Sequence, residues 1–343
     1  MKRINLALQG GGAHGAFTWG VLDVLLADEE VKIAAISGTS AGALNAAALK
    51  SGYVRNGRDG ARENLDWLWG QVGAVTDDSM SDWVSALTPS AAMLAKAMKY
   101  SPAYAMMDMT TRMLSPYVYG PLMRNPLENI VSKFEYDAVC ATHGPDLHIC
   151  ATNVRSGKIR VFSGDEISSD VIMASACLPT LFQAVEFTDP KTGKSEAFWD
   201  GGYAGNPALY PLFNKDLPDD ILVVNINPLY REELPTDVQA IQNRINEISF
   251  NSSLLRELRA IAFVKRLIAD GSLTSGTMKD VIVHMISDDV LMNELNVATK
   301  TIPQAVVLAR LKEAGQAAAK AFLKNHKADL NVKSTIDLAA MFN

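Results

Sequence analysis

Cysteine is scarce in this chain, with Cys140, Cys150 and Cys177 the only three among 343 residues. The number is odd and no C-x-x-C spacing occurs. Both facts argue against a disulfide framework and against a cysteine-rich zinc site, and they suit a reducing compartment. A basic excess is also missing: 32 Lys+Arg against 38 Asp+Glu leave a net charge of −6. Nucleic-acid binding is therefore not expected, nor is attraction to anionic lipid by bulk charge. No apolar run approaches the roughly 20 residues needed to span a bilayer. The apolar start, Ile4 to Leu8, stops at Gln9-Gly10-Gly11-Gly12, too short for the core of a signal peptide. Cytoplasmic localisation is the resulting expectation. Repeats and low-complexity linkers are absent as well. Because 48% of the residues are hydrophobic, apolar material is ample to offset chain entropy. One compact domain over residues 1–343 is expected.

The hydrophobic pattern gives the order of elements. Residues 3–8 read as a buried strand, Ala16 to Ala27 as a helix and 32–37 as a second strand. Gly38 to Gly42 is a tight turn, and Ala43 to Lys50 is helical again. Strand, loop, helix, strand, turn, helix is the pattern of a parallel sheet covered by helices. Helix continues over 61–72. Further strands are expected at 146–152, 158–163, 183–187, 196–199, 221–226 and 280–286. Helices are expected at 167–176, 236–269 and 303–324. The predicted fold is a three-layer α/β/α sandwich with a mostly parallel central sheet. Residues 73–125 hold eight of the fourteen methionines. Methionine adapts to varied apolar shapes, so this stretch is a candidate cap for flexible acyl chains, with ordinary core or oligomer packing as the alternative.

Gly10-Gly11-Gly12-Ala13-His14-Gly15 lies between a strand and a helix and fits G-x-G-x-x-G. A dinucleotide site would also need an acidic residue at the end of the second strand. That strand ends instead in Ser37-Gly38-Thr39-Ser40, and Glu29 and Glu30 precede it. A nucleotide-binding regulator is therefore the lesser reading. The same loop suits acyl transfer: successive glycines aim backbone N–H groups into one concavity beside a helix start. Such a nest holds an oxyanion.

Gly38-Thr39-Ser40-Ala41-Gly42 matches G-x-S-x-G with a strand before and a helix after, the context in which a sharp turn projects a nucleophilic serine. Gly38 and Gly42 relieve crowding, and the N–H of Ala41 adds an oxyanion donor to those of Gly11 and Gly12. A serine needs a base. Of the five histidines, only His284 and His326 come late enough for a Ser-Asp-His order. One lies in mid-strand, and the other follows a helix among charged neighbours. Asp200 in Trp199-Asp200-Gly201-Gly202 is the better candidate, because it sits at a strand end beside two glycines that permit close approach.

Taken together and in this order, these motifs resemble the patatin-like phospholipase family. Gly10–Gly15 is similar to its oxyanion segment, Ser40 falls on its nucleophile and Asp200 on its dyad aspartate. Ala174-Ser175-Ala176-Cys177-Leu178-Pro179 and Asn206-Pro207 fit two further family segments, so the likeness covers about residues 4–211. It implies a lipid acyl hydrolase working through a Ser40–Asp200 dyad without a cofactor or metal. The substrate would be a phospholipid, lysophospholipid or other fatty acyl ester, reached by peripheral membrane contact. A storage-polyester depolymerase or an acyltransferase would use the same dyad. The family usually has Arg or Lys where this chain has His14. A histidine is charged only part of the time near neutral pH, so a fixed-cation role does not carry over; two readings stay open, an added pH dependence or a His14 that simply opens the helix and hydrogen-bonds the loop.

Overall fold

The computed structural model describes residues 1–74, 91–102, 106, 109–110, 113–119, 125–274 and 276–342. Their centre is an eight-stranded sheet. Its strands are β1 (Lys2–Leu8), β2 (Val31–Thr39), β3 (Asp146–Asn153), β4 (Ile159–Ser163), β5 (Val185–Thr188), β6 (Ser195–Asp200), β7 (Asp220–Val224) and β8 (Ile282–Ile286). The order is β5-β6-β3-β2-β1-β7-β8, with β4 also paired to β3. From β3 to β8 all neighbours run parallel, while β4, β5 and β6 pair antiparallel. The mostly parallel three-layer α/β/α fold is thus the one the hydrophobic pattern indicates.

Side chains alternate along a strand, so each strand feeds two cores. Ile4, Leu6 and Leu8 of β1 and Leu222 and Val224 of β7 point into the larger one. It is covered by α1 (Ala16–Ala27), α2 (Ala41–Val72), α4 (Ser169–Ser175) and α8 (Ala305–His326), with α3 (Ala91–Lys99) packed at its margin. Ala7, Ala35, Ile221 and Val223 point the other way, onto Leu254, Leu258 and Ile261 of α5 (Val238–Ala269). Two short helices, α6 (Asp289–Glu294) and α7 (Val297–Thr301), lead from β8 into α8.

Helix α2 is a hairpin rather than a rod. Its backbone leaves helical geometry at Asn56 and Gly57, and Gly57 takes a positive φ of 58°. The arms then run back along each other: Asn64 donates to the Ala48 carbonyl at 2.7 Å, and Trp69 Nε1 donates to Asn45 Oδ1 at 2.9 Å. The separate helical readings of 43–50 and 61–72 are therefore its two arms. Strand β7 is shorter than the expected 221–226, because Gln9 draws Ile226 and Asn227 out of the ladder. Their N–H groups donate to its Oε1 at 2.9 and 3.1 Å.

Helices α1 and α8 approach through paired glycines. A Cβ at Gly20 would lie 2.0 Å from the Lys312 carbonyl oxygen, and one at Gly315 would lie 2.1 Å from that of Phe17. Gly315→Val must push the helices apart. It is expected to cost about 2–3 kcal/mol, read as a lower urea midpoint with an unchanged slope. An unchanged midpoint would show that the helix pair is not close-packed.

Candidate active site

Strand β3 brings the two candidate catalytic residues together. Thr39, the last residue of β2, pairs with Cys150. Asp200, the last residue of β6, pairs with the next residue, Ala151. Strand β4 occupies the opposite edge over this stretch, pairing with Cys150 and Ala151 both. So β2 and β6 meet end to end on one edge of β3, and Ser40 emerges where Asp200 ends.

Ser40 has φ 54° and ψ −121°, a backbone region that side-chain-bearing residues rarely enter. The turn is held from three sides. The Ser40 N–H donates to Ser175 Oγ at 2.9 Å, and that hydroxyl donates to the Cys150 carbonyl at 2.7 Å. Thr39 Oγ1 donates to the Gly205 carbonyl at 2.8 Å. Gly42 leaves room for β1, since a Cβ there would lie 2.1 Å from the Leu8 carbonyl oxygen. Gly38 packs as tightly, with the Gly42 carbonyl oxygen 2.6 Å from the place of a Cβ. The small-residue segment after α4 also fixes the aspartate, whose N–H donates to the Cys177 carbonyl at 2.8 Å.

Asp200 is fully buried. Its Oδ1 accepts from the Gly202 N–H at 2.8 Å, while Oδ2 has no hydrogen-bond partner among the described residues. Burial raises its pKa to about 7, against smaller lowering by the Gly202 N–H and the Ser40 hydroxyl. The Ser40 hydroxyl is thus close enough to act on the carboxyl.

The glycine loop lies against the elbow. A Cβ at Gly10 would be 2.6 Å from Ser40 Cβ, so only glycine admits this approach. The Gly10 N–H donates to Asn206 Oδ1 at 2.7 Å, and its carbonyl accepts from Asn227 Nδ2 at 2.8 Å. Gly12 has a positive φ of 58° and Gly15 packs on Ala41 Cβ. Asn45 Nδ2 donates to the carbonyls of Gly15 and Ala41 at 3.1 and 3.0 Å, joining loop to elbow. The N–H groups of Gly11, Gly12 and Ala41 donate to no other group among the described residues. Gly11, Gly12, Ala41, Ser40 and Asp200 line one cavity of about 980 Å³.

His14 does not open toward that cavity. It is buried, its Nε2 lies 2.8 Å from Thr299 Oγ1, and its Nδ1 has no partner among the described residues. The Thr299 hydroxyl already donates to the Asn296 carbonyl at 2.7 Å, which makes Nε2 the protonated nitrogen. Burial, then the charges of Lys300 and Arg231, hold its pKa well below the usual value. The ring is therefore neutral at neutral pH. The late histidines lie elsewhere. His284 pairs with Asp220 Oδ1 at 2.9 Å in β8, and His326 ends α8 beside Asp329.

The cavity has two kinds of wall. The α2 hairpin and the segments around 127–130 and 178–182 supply Leu44, Leu68, Trp69, Ile130, Leu181 and Phe182. Helices α5 and α7 and Asn227 supply mostly polar groups. Of the methionine-rich stretch, Met80, Met107 and Met123 lie outside the described residues. Met93, Met106, Met109 and Met113 are exposed, and among the described residues no methionine lines the cavity. The stretch touches the cavity instead through Asn125 and its successors Pro126 and Leu127.

Sequence reasoning gave no role to Ser175, Asn45, Asn227 or Lys300. Asn45 stands out in retrospect as a polar residue within the alanine-rich run of its arm. Asn227 is marked only by the Asn-Ile-Asn that follows a buried strand.

A strand-turn-helix serine, a buried carboxyl and free backbone donors meet around one cavity on an α/β fold. The profile of the family described as Patatin-like phospholipase matches residues 6–213, more than half of the chain. The chain belongs to that family, which places it among hydrolases acting on lipid acyl esters. The solved structure of VipD from Legionella pneumophila is similar at 14% identity and a TM-score of 0.43, over 95% of this chain and 67% of that one. No curated protein matches.

Proposed function

We propose that the protein hydrolyses fatty acyl esters through a Ser40–Asp200 dyad. The observation that carries this reading is the unpartnered, buried Oδ2 of Asp200 beside Ser40, facing the same cavity as the free N–H groups of the glycine loop. Asp200 takes the serine proton as Oγ attacks the ester carbonyl carbon. The negative charge that develops on the carbonyl oxygen is held by the N–H groups of Gly11, Gly12 and Ala41. The intermediate collapses, the C–O bond to the alcohol breaks, and the proton on Asp200 passes to that alcohol. Water then attacks the acyl-serine, gives its proton to Asp200, and the acid leaves as Ser40 regains the proton. Asn206, Asn227 and Asn45 keep the loop in register with the elbow.

Phospholipids, lysophospholipids and simple carboxylesters all fit this chemistry. The apolar wall suits an acyl chain and the polar wall its alcohol. Peripheral contact with a lipid surface is supported by Val238, Ile241, Ile245 and Ile248, an exposed apolar stripe on α5. The neighbouring Gln242, Asn243 and Asn246 of that helix line the cavity. Among the described residues no helix is long and apolar enough to cross a membrane.

The test is turnover of p-nitrophenyl esters of increasing acyl length, with a fluorophosphonate ester to trap the nucleophile. The expected outcome is turnover that improves with chain length and a single adduct on Ser40. An adduct elsewhere, or no turnover in the presence of detergent or vesicles, would defeat the reading. The same assay gives the pH profile. Asp200 must be ionised to accept the proton, and burial raises its pKa to about 7. The rate kcat/KM is therefore expected to rise with pH through an apparent pKa near that value. A flat profile down to about pH 5 would show an unburied or different base.

A further inference from the structure

We infer that Lys300 forms an anion subsite in the catalytic cavity, taking an anionic oxygen group carried on the alcohol half of the ester. The inference rests on the acyl-hydrolase reading and adds to it the charge of the headgroup. Lys300 comes from α7, beyond the segment that the family profile matches. It is nonetheless built into the glycine loop, since a Cβ at Gly12 would lie 2.3 Å from its carbonyl oxygen. Its side chain lines the cavity with Gly12, Asn227 and Ser40.

The ammonium is under-used where it stands. An ammonium offers three donors. Lys300 Nζ makes one hydrogen bond among the described residues, to Asn227 Oδ1 at 3.0 Å, and no carboxylate pairs with it there. The nearby anion is Glu247, and its oxygens are already committed. Arg231 holds both, at 2.7 and 2.8 Å, and Arg244 adds a contact at 3.3 Å. Burial and the charge of Arg231 draw the lysine below its ordinary pKa, and only Glu247 opposes them. A half-buried cation whose one nearby carboxylate is already shared with two arginines is poorly compensated. A ligand that brings an anion removes that cost.

The surroundings say which ligand. The wall shared by Lys300 carries Gln242, Asn243 and Asn246, neutral amides able to donate to oxygen. The facing wall is the apolar α2 hairpin, with Ser40 between the two. An acyl chain on the apolar side leaves the alcohol half on the lysine side. A phosphate on that alcohol satisfies the free donors. The second lysine on the cavity, Lys133, is exposed and bonded to Gln71 at 3.1 Å, so it serves as the control.

The experiment compares two soluble esters that share an acyl chain and glycerol and differ by one phosphate: an acylglycerol phosphate and the corresponding monoacylglycerol. The expected ratio of kcat/KM favours the phosphate at least about tenfold in wild type and in Lys133→Met. In Lys300→Met it falls to near unity, mainly through KM, and Lys300→Arg restores most of it. An unchanged ratio in Lys300→Met overturns the inference. So does an equal loss on both substrates, which would make the lysine a prop for Asn227. Calorimetric binding of octyl phosphate to wild type and Lys300→Met supplies a readout independent of turnover. If wild type hydrolyses neither ester, the hydrolase reading falls, and the subsite stands or falls on whether Lys300→Met weakens octyl phosphate about tenfold. Inorganic phosphate binding as tightly as octyl phosphate would mark a free-anion site and overturn the headgroup assignment.

Discussion

Ser40→Ala is expected to lower ester turnover roughly ten-thousandfold or more while the fold survives. The loss is that of the attacking atom, with no other serine at the elbow to replace it. The fold survives because the turn is held by backbone groups and by neighbours. The residue-40 N–H still reaches Ser175 Oγ, and Thr39 still reaches the Gly205 carbonyl. Alanine keeps the unfavourable φ of 54°, so it relieves no strain. Glycine does relieve it, and Ser40→Gly is expected to be as inactive but more stable by about 1 kcal/mol. Residual p-nitrophenyl ester turnover and urea midpoints of the three proteins check both parts. Activity within tenfold of wild type in Ser40→Ala would remove Ser40 from the mechanism.

Asp200→Asn is expected to trade activity for stability. Asparagine retains an oxygen for the Gly202 N–H but cannot take the serine proton, so turnover falls by roughly a thousandfold. The stability effect follows from linkage. Burial raises the Asp200 pKa from 3.8 to about 7, so the native state holds this proton more tightly than the unfolded chain. Wild-type stability therefore declines as pH rises between those values. Above the upper one the ionised carboxyl costs on the order of 4 kcal/mol. The asparagine variant escapes that decline. Its advantage is expected to be largest near pH 9 and to vanish near pH 4, measured by urea unfolding across that range. Equal stability at the alkaline end would mean that the carboxyl is solvated and that its pKa is ordinary.

The Ser40 elbow, the glycine loop and Asp200 were legible because each is local. A turn needing glycine, a nest needing consecutive N–H groups and a carboxyl at a strand end all leave short sequence marks. Element order was legible for a related reason, since the buried runs of β1, β2 and β7 and the periodicity of α1 and α8 are local too. What could not be read is pairing. Nothing in residues 195–200 announces that β6 runs antiparallel to β3 and stops where β2 stops, because register is chosen by contacts between segments distant in sequence, such as Asp200 with Ala151 and Thr39 with Cys150. The supports Ser175, Asn206 and Asn227 escaped a physical reading for the same reason, each acting on a residue distant in sequence. His14 shows the opposite limit. Its type suggested a titrating group near the oxyanion loop, whereas burial against Thr299 fixes it as a neutral ring.

The meeting of β2 and β6 on one edge of β3 has a corollary for redesign. Cys150 and Ala151 act as a ruler: their backbone sets the separation of Ser40 and Asp200, whatever chain intervenes. Substitutions on the apolar wall or on the α5–α7 wall can then alter substrate preference without moving Ser40 or Asp200. A library randomised only at Leu44, Leu68, Ile130, Leu181 and Phe182 of the apolar wall should accordingly yield variants with altered acyl preference and a common pH profile.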